Sequence, residues 1–527
     1  MKGTTVALAL APLAAAKQLV WPSKYDYVED LQNNLGGYNK RGFMDAIISC
    51  DFGNGKDGQQ NSAEWIRTAF HDAVTHDKAA GTGGIDASIF WELARTENKG
   101  DAFLNTFGFF SGYHNQRGSV SDLIALGTVI ATGGCGGPQV PFRAGRVDAY
   151  KAGPAGVPEA HTNLKDTFAR FTKAGFTKED MTALVACGHA VGGVHHVDHP
   201  EITGHEVSAD NYTSVPFQTN FRSFNNGVAT EYLSGKTKNP LIVAKNATLR
   251  SDKRIFDNDK ATMKKLATKE GFNKICPEVF ARMIDTVPKS VKLTEVIDPY
   301  EVKPYINDMS LDSKGKIHFA GAIRLLITKE ETLKLDEISA KLIYVGRDGK
   351  KITLPLKQAI WQGGRTLGTY HDFVNYEFDT TIDTKNGITK FWVQVTKKNA
   401  VKTYDNQGTG GYPVDDTVLY QQQQSCIQWS KLPAAPMKIN AFIRDGRAKD
   451  PLTLTIGQKV PIKGVEVPQI KNESARFKAT GKKSSGYTAF QAEIKVVDQT
   501  SYFDIVLGGK TPAGVEFRPV LPLDECK

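Results

Sequence analysis

The sequence has no long run of apolar residues, no dense cluster of basic residues and no low-complexity segment. We therefore expect no membrane-spanning helix, which would need about 20 apolar residues. We also expect no nucleic-acid partner, although the formal net charge is +9. Tryptophan, cysteine and methionine are scarce, with six, six and seven residues, whereas 40% apolar and 23% charged residues exclude a disordered or fibrous chain.

The N-terminus has the features of a secretory signal peptide. Lys2 supplies the basic start, residues 6–13 the short apolar stretch and residues 14–16 the small side chains before a cleavage site. The apolar stretch is too short for a membrane-spanning helix, and Pro12 interrupts it. We expect residues 1–16 to be cleaved off and the protein to be secreted and extracellular.

Export changes the expected chemistry of the cysteines and of several asparagines. Cysteines pair under oxidising conditions, so the six cysteines predict disulfide bonds, but the sequence alone does not choose among the pairings. Sequons for glycosylation make the chain a candidate glycoprotein. They begin at Asn211, Asn246 and Asn472.

A chain of 527 residues is too long for one hydrophobic core, so two or three domains are expected. Up to about residue 287 the pattern is largely helical. Cap residues and helical spacing of apolar side chains predict a helix at 62–77 with Ser62 as its cap, and one at 177–192 with Thr177 as its cap. Further helices are predicted at 121–130, 260–269 and 277–286.

After residue 287 the pattern changes to alternating apolar and polar runs broken by turns. Residues 341–345 and 352–356 are typical of strands joined by a turn. A further break at 431–436 is typical of a boundary between two sandwiches. The predicted fold class is a mainly α domain at 17–290 followed by an all-β, sandwich-like C-terminal region in two β-rich parts, at 291–432 and 433–527.

The segment from Arg67 to Asp72 carries the first candidate chemistry. Arg67 and His71 are four residues apart and therefore share one face of a helix. His71 can take a proton from a bound hydroperoxide and return it to the leaving oxygen, while Arg67 stabilises the charge that develops as the O–O bond breaks. A surface Arg and His is the alternative explanation of the spacing taken alone.

The same segment resembles the distal motif of the haem peroxidase superfamily of plants, fungi and bacteria. In that family Arg and His stand at this spacing with Phe or Trp directly before the His. Phe70 matches the secreted fungal and plant branches, whereas the intracellular branch has Trp there. The resemblance implies catalytic roles for Arg67, Phe70 and His71, and it implies that Asn98 orients the side chain of His71.

The string from Ala183 to His195 provides a second match. A single His at the end of an apolar helix is more often a packed core residue than a metal ligand. The string resembles the proximal motif of the family, which implies that His189 binds the iron of haem b. Asp252 lies where the family has a carboxylate that hydrogen-bonds the other nitrogen of the ligand and favours high-valent iron.

A third pattern combines Asp72 with Gly84, Asp86 and Ser88. Carboxylates, a main-chain carbonyl and a hydroxyl at alternating positions are suitable ligands for Ca²⁺, and an ordinary polar turn is the alternative. The resemblance implies one distal Ca²⁺ held by these four residues. A second, proximal calcium is not expected, because Ala190 follows the iron-ligating His where the calcium-binding branches have Ser or Thr.

The resemblance also bears on the cysteines. The string from Pro141 to Asp148 is similar to one that family members carry between the two histidines. Cys135, just upstream, resembles a family cysteine that bridges back to the residues before the distal helix, for which Cys50 is the candidate. Cys426 and Cys526 are then candidates to staple the extension. Cys187 and Cys276 either pair or stay free.

Two departures from the family pattern restrict the electron donor. No tryptophan occurs between Trp91 and Trp361, so the chain lacks the Trp that the intracellular branch places beside the proximal His. That position falls near His205 if no gap intervenes, and its replacement argues against a cytochrome-type partner. Asp198 stands where ascorbate-oxidising members have Arg, which argues against ascorbate.

The resemblance covers about half of the chain and implies an enzyme: a secreted fungal-type haem peroxidase that reduces hydrogen peroxide and oxidises a small organic, phenolic-type donor. The β-rich extension is interpreted as a module for cell-wall polysaccharide, a structural brace or an interaction surface. The alternative is a haem-binding or cell-wall-associated protein whose β domains carry the main role. A mere binder does not need Arg67 and His71 together, which disfavours this alternative.

Overall fold

The computed structural model describes residues 19–53, 58–204, 213–328 and 335–527. The expected signal peptide at 1–16, the sequon at Asn211 and His205 lie outside the described residues. The described residues form twelve α-helices: α1 Asp26–Asn33, α2 Asn61–Ala73, α3 Ala102–Tyr113, α4 Val120–Gly134, α5 Leu164–Ala174, α6 Lys178–Gly188, α7 Pro200–Thr203, α8 Gly227–Leu233, α9 Pro240–Val243, α10 Ser251–Asn258, α11 Lys260–Leu266 and α12 Lys269–Ile284.

Most strands lie after the last helix, as predicted. The strands are β1 Gly36–Gly37, β2 Gly193–His195, β3 Ser214–Pro216, β4 Val302–Leu311, β5 Ile317–Thr328, β6 Ile338–Val345, β7 Lys351–Pro355, β8 Lys357–Gln358, β9 Arg365–Leu367, β10 His371–Ile382, β11 Lys390–Lys397, β12 Ala400–Tyr404, β13 Tyr412–Pro413, β14 Val418–Tyr420, β15 Cys426–Ile427, β16 Ala435–Arg444, β17 Leu452–Ile462, β18 Val465–Arg476, β19 Lys478–Ser484, β20 Tyr487–Val496, β21 Tyr502–Leu507, β22 Arg518–Pro519 and β23 Asp524–Glu525. The predicted fold class, a helical domain followed by β structure, is confirmed.

The helix caps explain where the site-bearing helices begin. α6 begins as predicted, because the Thr177 hydroxyl accepts from the Asp180 N–H and the Asp180 carboxylate accepts from the Thr177 N–H. The predicted cap of α2 was wrong. Ser62 lies inside that helix, and its hydroxyl donates to the Cys50 carbonyl at 2.8 Å instead of accepting from a free N–H of the first turn.

The β region consists of two sandwiches, each with its own core. In the first, the sheet ordered β1-β9-β10-β5-β4 faces the sheet ordered β12-β11-β6-β7, and their inward side chains share one apolar core. In the second, the sheet ordered β19-β20-β16-β15-β23 faces the sheet ordered β18-β17-β21-β22 across another core. Strict alternation of burial along β16 is typical of a strand that buries one face.

The change from one sandwich to the other differs from the predicted boundary at 432–433. β13 pairs with β11 in the first sandwich, whereas β14, at Val418–Tyr420, already pairs with β16 in the second. The second sandwich therefore begins near residue 418. The Pro-rich break at 431–436 leads into β16 and lies within this sandwich.

The helical and β parts pack against each other at several places. Gly36 and Gly37, which form β1, pair with Leu367 and Thr366 at the edge of the first sandwich. Trp21 lies in the core of that sandwich, and Val467 of β18 is buried in the core of the helical domain. The extension therefore contributes buried side chains to the domain that carries the candidate site.

Candidate active site

One cavity of about 330 Å³ is lined by five of the six residues that the sequence predicted for catalysis and haem binding, Asn98 being the exception. It lies between α2, which presents Arg67, Phe70 and His71, and the end of α6, where His189 stands. The four-residue spacing in α2 places Arg67 and His71 on the same side of the helix, as predicted. The structure thus brings the distal and proximal motifs to a single cavity, although 118 positions separate the two histidines in the chain.

His71 is held by Asn98, as the resemblance implied. The ring of His71 is buried, and its Nδ1 lies 2.8 Å from Oδ1 of Asn98. Nδ2 of Asn98 donates to the Glu92 carbonyl at 3.0 Å, so Oδ1 is the acceptor and Nδ1 of His71 carries the proton. Burial, with the nearby charge of Arg67, lowers the pKa of His71 to about 3. The imidazole is therefore neutral at ordinary pH, with an unprotonated Nε2.

Arg67 stands beside His71 on the wall of the cavity. It donates to the Lys99 carbonyl at 3.0 Å, and its guanidinium lies 4.7 Å from the centre of the Phe103 ring. Burial lowers the pKa of Arg67, and the negative charge of Asp198 opposes this shift. A guanidinium with one donor committed to the backbone retains further N–H groups for an oxygen ligand in the cavity.

The proximal side is built around His189, the residue that directly follows α6 as its C-cap. Its Nδ1 lies 2.8 Å from Oδ2 of Asp252, a carboxylate that is 1% exposed. Phe217 stacks on the imidazole, with the ring centroids 3.9 Å apart and the planes 18° apart. With Nδ1 engaged by the carboxylate, Nε2 is the nitrogen of His189 that is available to a ligand in the cavity.

The residues around this cavity fit a haem group. A neutral imidazole whose Nδ1–H is hydrogen-bonded to a carboxylate is the usual arrangement of a metal-ligating histidine. Apolar side chains next to His189 offer the low-polarity walls that a flat aromatic macrocycle requires. They are Leu184, Val191, Val194, Phe217, Leu241 and Ile255. His189 would bind the iron through Nε2, Asp252 would hold the His189 ring through Nδ1, and these side chains would enclose the macrocycle.

The four residues of the predicted calcium pattern lie close together, with Asp72 at the end of α2 and Gly84, Asp86 and Ser88 in the segment after it. Asp72 accepts hydrogen bonds from the N–H groups of Asp86 and Ala87 at 3.0 and 2.8 Å, and from the Ser88 hydroxyl at 3.4 Å. The N–H of Asp86 also donates to the Gly84 carbonyl at 2.7 Å. Burial and the charge of Asp86 raise the pKa of Asp72. Two buried carboxylates, one at the end of α2 and one in the following segment, thus lie close to each other.

The disulfide bonds agree with those that the resemblance implies, and they show that Cys187 and Cys276 are paired. Disulfide bonds join Cys50 to Cys135, as implied for the distal helix, and Cys426 to Cys526 within the extension. Cys187 is bonded to Cys276 rather than free, which ties α6 to α12 directly beside His189. No helix in the described part of the chain has the length and apolar composition needed to cross a membrane.

Sequence reasoning missed two residues of the proximal side. Phe217 supplies a ring that stacks on His189. Asn239 donates from Nδ2 to Oδ2 of Asp252 at 2.8 Å. The dipeptide Asn239-Pro240 carries a local signal for a helix start, but nothing in the local sequence indicates the contact with a carboxylate 13 residues away.

Comparisons with known proteins agree with this geometry. Residues 51–270 match the family model described as Peroxidase. The chain is 36% identical over 381 residues to a WSC domain-containing protein of Arthroderma benhamiae, a match that covers 71% of this chain and 52% of that protein. It is 30% identical over 197 residues to peroxisomal L-ascorbate peroxidase 5 of Arabidopsis thaliana, covering 37% of this chain and 64% of the relative.

A third relative is the mitochondrial cytochrome c peroxidase of Neurospora crassa, 27% identical over 202 residues, which cover 36% of this chain and 55% of that protein. The matches thus span between about half and two thirds of these relatives. The match to the WSC domain-containing protein is longer than the region 51–270, so that similarity continues beyond the helical domain. Residues 51–270, which make up most of the helical domain, are therefore similar to the peroxidase family.

Proposed function

We propose that the protein is a secreted haem peroxidase that reduces hydrogen peroxide and oxidises a small organic donor of the phenolic type. The observation that carries the proposal is the pairing, in one cavity, of a neutral His71 beside Arg67 with a His189 held by Asp252. Two molecules of donor each lose one electron and one proton. Hydrogen peroxide takes up the two electrons and the two protons and becomes two molecules of water.

The residues of the chain perform the proton transfers and hold the reactants. Nε2 of His71 accepts a proton from one oxygen of hydrogen peroxide and returns it to the other oxygen, which leaves as water. Arg67 stabilises the negative charge on that leaving oxygen. Asn98 keeps the proton of His71 on Nδ1, so that Nε2 always faces the peroxide as a base. When bound, haem b would supply the electron-transfer chemistry, with His189 as the ligand of its iron and Asp252 holding His189 in place.

Asp198 supports a neutral donor over an anionic one. Asp198 lines the cavity, and the nearby His195, whose Nδ1 lies 3.6 Å from Oδ2 of Asp198, lowers the pKa of the Asp198 carboxyl, so Asp198 carries a negative charge at neutral pH. A negative side chain at this place repels an anion such as ascorbate. We expect turnover of a neutral phenol to exceed turnover of ascorbate, and Asp198→Asn to narrow the difference between the two donors. An equal ratio of phenol turnover to ascorbate turnover in wild type and Asp198→Asn would contradict this role of Asp198.

Secretion is supported by the three disulfide bonds, because such bonds persist in oxidising compartments. The described sequon residues Asn246 and Asn472 are both exposed, as glycosylation requires. The test is the intact mass and N-terminal sequence of protein collected from the culture medium. A chain that begins near Lys17 supports removal of residues 1–16, and a chain found only inside the cells with Met1 in place contradicts it.

One distal Ca²⁺ completes the proposed cofactors. Asp72 and Asp86 are 0% and 9% exposed, and two buried carboxylates at close range repel each other unless a proton or a cation lies with them. Asp72, Asp86, Ser88 and the Gly84 carbonyl are oxygen donors suited to Ca²⁺. Dialysis against a calcium chelator should lower the melting temperature, and added Ca²⁺ should restore it. An unchanged melting temperature would contradict the calcium site and favour the alternative, an ordinary polar turn without a bound ion.

The alternative function gives the main role to the β domains, and one surface feature favours it. Ile360 and Trp361, between β8 and β9, are 89% and 69% exposed. An exposed indole is a suitable platform for a sugar ring, so this loop is the proposed contact for cell-wall polysaccharide. The full chain should sediment with insoluble wall polysaccharide, and Trp361→Ala should reduce the bound fraction. Binding that is unaffected by Trp361→Ala would exclude this loop.

The proposed peroxidase activity is tested by steady-state oxidation of a phenol. The haem-loaded chain should turn over only with hydrogen peroxide present, and His189→Ala should lose the native haem spectrum. His318→Ala is the matched control, because this histidine lies in the first sandwich. The two nitrogens of its ring hydrogen-bond to Asp308 and Asp379. A chain that binds haem through His189 but oxidises no phenol, while binding polysaccharide, would favour the alternative function.

A further inference from the structure

The carboxylate behind His189 has two donors on one oxygen. Oδ2 of Asp252 accepts from Nδ1 of His189 at 2.8 Å and from Nδ2 of Asn239 at 2.8 Å. The other oxygen, Oδ1, accepts only from the hydroxyl of Ser251 at 3.3 Å among the described residues. Asp252 and Asn239 are 1% and 0% exposed, so water does not compete for these contacts.

Asn239 is itself fixed in one orientation. Its Oδ1 accepts from the N–H of Leu241 at 2.8 Å, which makes Asn239 the cap of α9, and its own N–H donates to the Thr237 hydroxyl at 3.1 Å. Since Oδ1 is committed to a main-chain donor, the atom that faces Asp252 is the NH₂ group. A reversed amide would lose the cap and place an oxygen against a carboxylate.

Sharing an acceptor weakens each of the two hydrogen bonds. A carboxylate oxygen that already accepts one strong hydrogen bond offers less negative charge to a second donor. The Asn239 amide therefore draws charge away from the oxygen that Nδ1–H of His189 uses, and it also prevents the carboxylate from rotating. The strength of the His189–Asp252 hydrogen bond determines how electron-rich His189 is as a ligand.

We propose that Asn239 is a positioning residue that fixes Asp252 and moderates the His189–Asp252 hydrogen bond, so that it sets the electron-donating strength of His189. This inference rests on the proposed function, in which His189 is the ligand of the haem iron. Asn239 does not line the cavity, and its NH₂ group acts on His189 through Asp252.

The test separates the amide donor from the helix cap. In Asn239→Ser the hydroxyl still caps α9 but is too short to reach Asp252, whereas Asn239→Leu loses both functions. Asn163→Ser is the matched control, because Asn163 caps α5 through the N–H of Asp166 and its amide contacts only that residue. If Asn239→Ser does not fold by circular dichroism, Asn239→Thr takes its place.

Two readouts other than activity report on the bond. In the haem-loaded protein, Asn239→Ser should lower the ferric/ferrous midpoint potential and raise the iron–histidine stretching frequency relative to wild type and Asn163→Ser. In the apoprotein, the proton resonance of His189 Nδ1–H should move downfield. A potential and a frequency that stay unchanged, or that move in the opposite directions, would overturn the proposal.

The outcome is distinguishable from failure of the proposed function. If the spectrum of haem-loaded His189→Ala equals that of wild type, His189 is not the ligand, and both the proposed function and this inference fail. If His189→Ala alters the ligation while Asn239→Ser leaves both readouts unchanged and only lowers the melting temperature, Asn239 has a structural role alone. In that case the proposed function stands and the inference is overturned.

Discussion

Lys303 of the first β-sandwich donates a 2.6 Å hydrogen bond to Glu29 of α1, and the two side chains are 2% and 0% exposed. Its ammonium also lies 2.7 Å from Asp30, and the buried Arg324 of β5 contacts Glu29. Two cations of the extension thus neutralise two carboxylates of the N-terminal helix. This cluster, with Val467 in the helical core, supports a bracing role for the extension.

The first prediction concerns that cluster. Lys303→Met leaves Glu29 and Asp30 buried with less compensating charge, and removing one partner of a buried ion pair costs about 3–5 kcal/mol. The free energy of unfolding from urea titration should fall by that amount. Lys402→Met is the control, since Lys402 pairs with Glu301 at the surface and such pairs contribute about 0–1 kcal/mol. Equal losses in the two variants would contradict the bracing role.

The second sandwich braces the distal side in a different way. Nζ of the buried Lys459 donates to the carbonyls of Ser111 and Gly112 at 2.9 and 3.3 Å, in the last turn of α3. The same helix carries Phe103, whose ring lies 4.9 Å from that of His71. Lys459→Met should destabilise the protein by about 2 kcal/mol and speed amide hydrogen exchange in α3. The exposed Lys463→Met should change neither quantity, and slow exchange retained in Lys459→Met would count against this contact.

Glu64, which lines the cavity one turn before Arg67, makes stability depend on pH. Burial raises its pKa from 4.5 to about 7, and its Oε2 lacks a hydrogen-bond partner among the described residues. Between pH 4.5 and about pH 7, Glu64 keeps its proton in the folded protein but has lost it in the unfolded chain. The stabilisation from protonated Glu64 is therefore complete below pH 4.5 and is lost as the pH rises through 7.

Glu64→Gln removes this dependence. The variant should match wild type in stability at pH 4.5 and exceed it by about 3 kcal/mol at pH 8, as measured by urea titration at both values. Glu201→Gln, at an exposed position of the same cavity, is the control and should show no such difference. A stability difference for Glu64→Gln that is constant with pH would show that burial does not perturb this carboxyl.

Asn98 offers a test of the distal arrangement that leaves the base in place. Asn98→Ala removes the acceptor of Nδ1–H in buried surroundings, so His71 loses its fixed tautomer and orientation. The rate constant for reaction with hydrogen peroxide should fall between the values of wild type and His71→Ala. Asn105→Ala, which removes an amide from Glu64 and not from His71, is the comparison. A rate equal to that of wild type would remove Asn98 from the site.

The parts of the site that the sequence predicted depend on local geometry. Arg67 and His71 lie on one face because four residues make about one helical turn, and Thr177 begins α6 because its cap lies within three residues. The parts that it missed depend on tertiary packing. Phe217 and Asn239 reach His189 and Asp252 only after α9 and the segment before α8 have folded against α6 and α10.

The fold shows the same division between local and distant information. The alternation of apolar residues predicted strands at 341–345 and 352–356, where β6 contains the first range and β7 contains the second except for its last residue. β1 was missed, because Gly36 and Gly37 carry no strand signal and become a strand only by pairing with residues some 330 positions later. The boundary of the second sandwich was misplaced because the pairing of β14 with β16 is not visible in the local pattern.

The central claim is that His71 is the acid–base residue of a working peroxidase. Stopped-flow absorbance of the haem-loaded protein mixed with hydrogen peroxide tests it most directly. In wild type, the Soret band should change at a rate proportional to peroxide concentration and return on addition of a phenol. In His71→Ala, the rate constant should fall by about 10²- to 10⁴-fold, and in His318→Ala it should not change. A wild-type rate constant in His71→Ala would contradict the account.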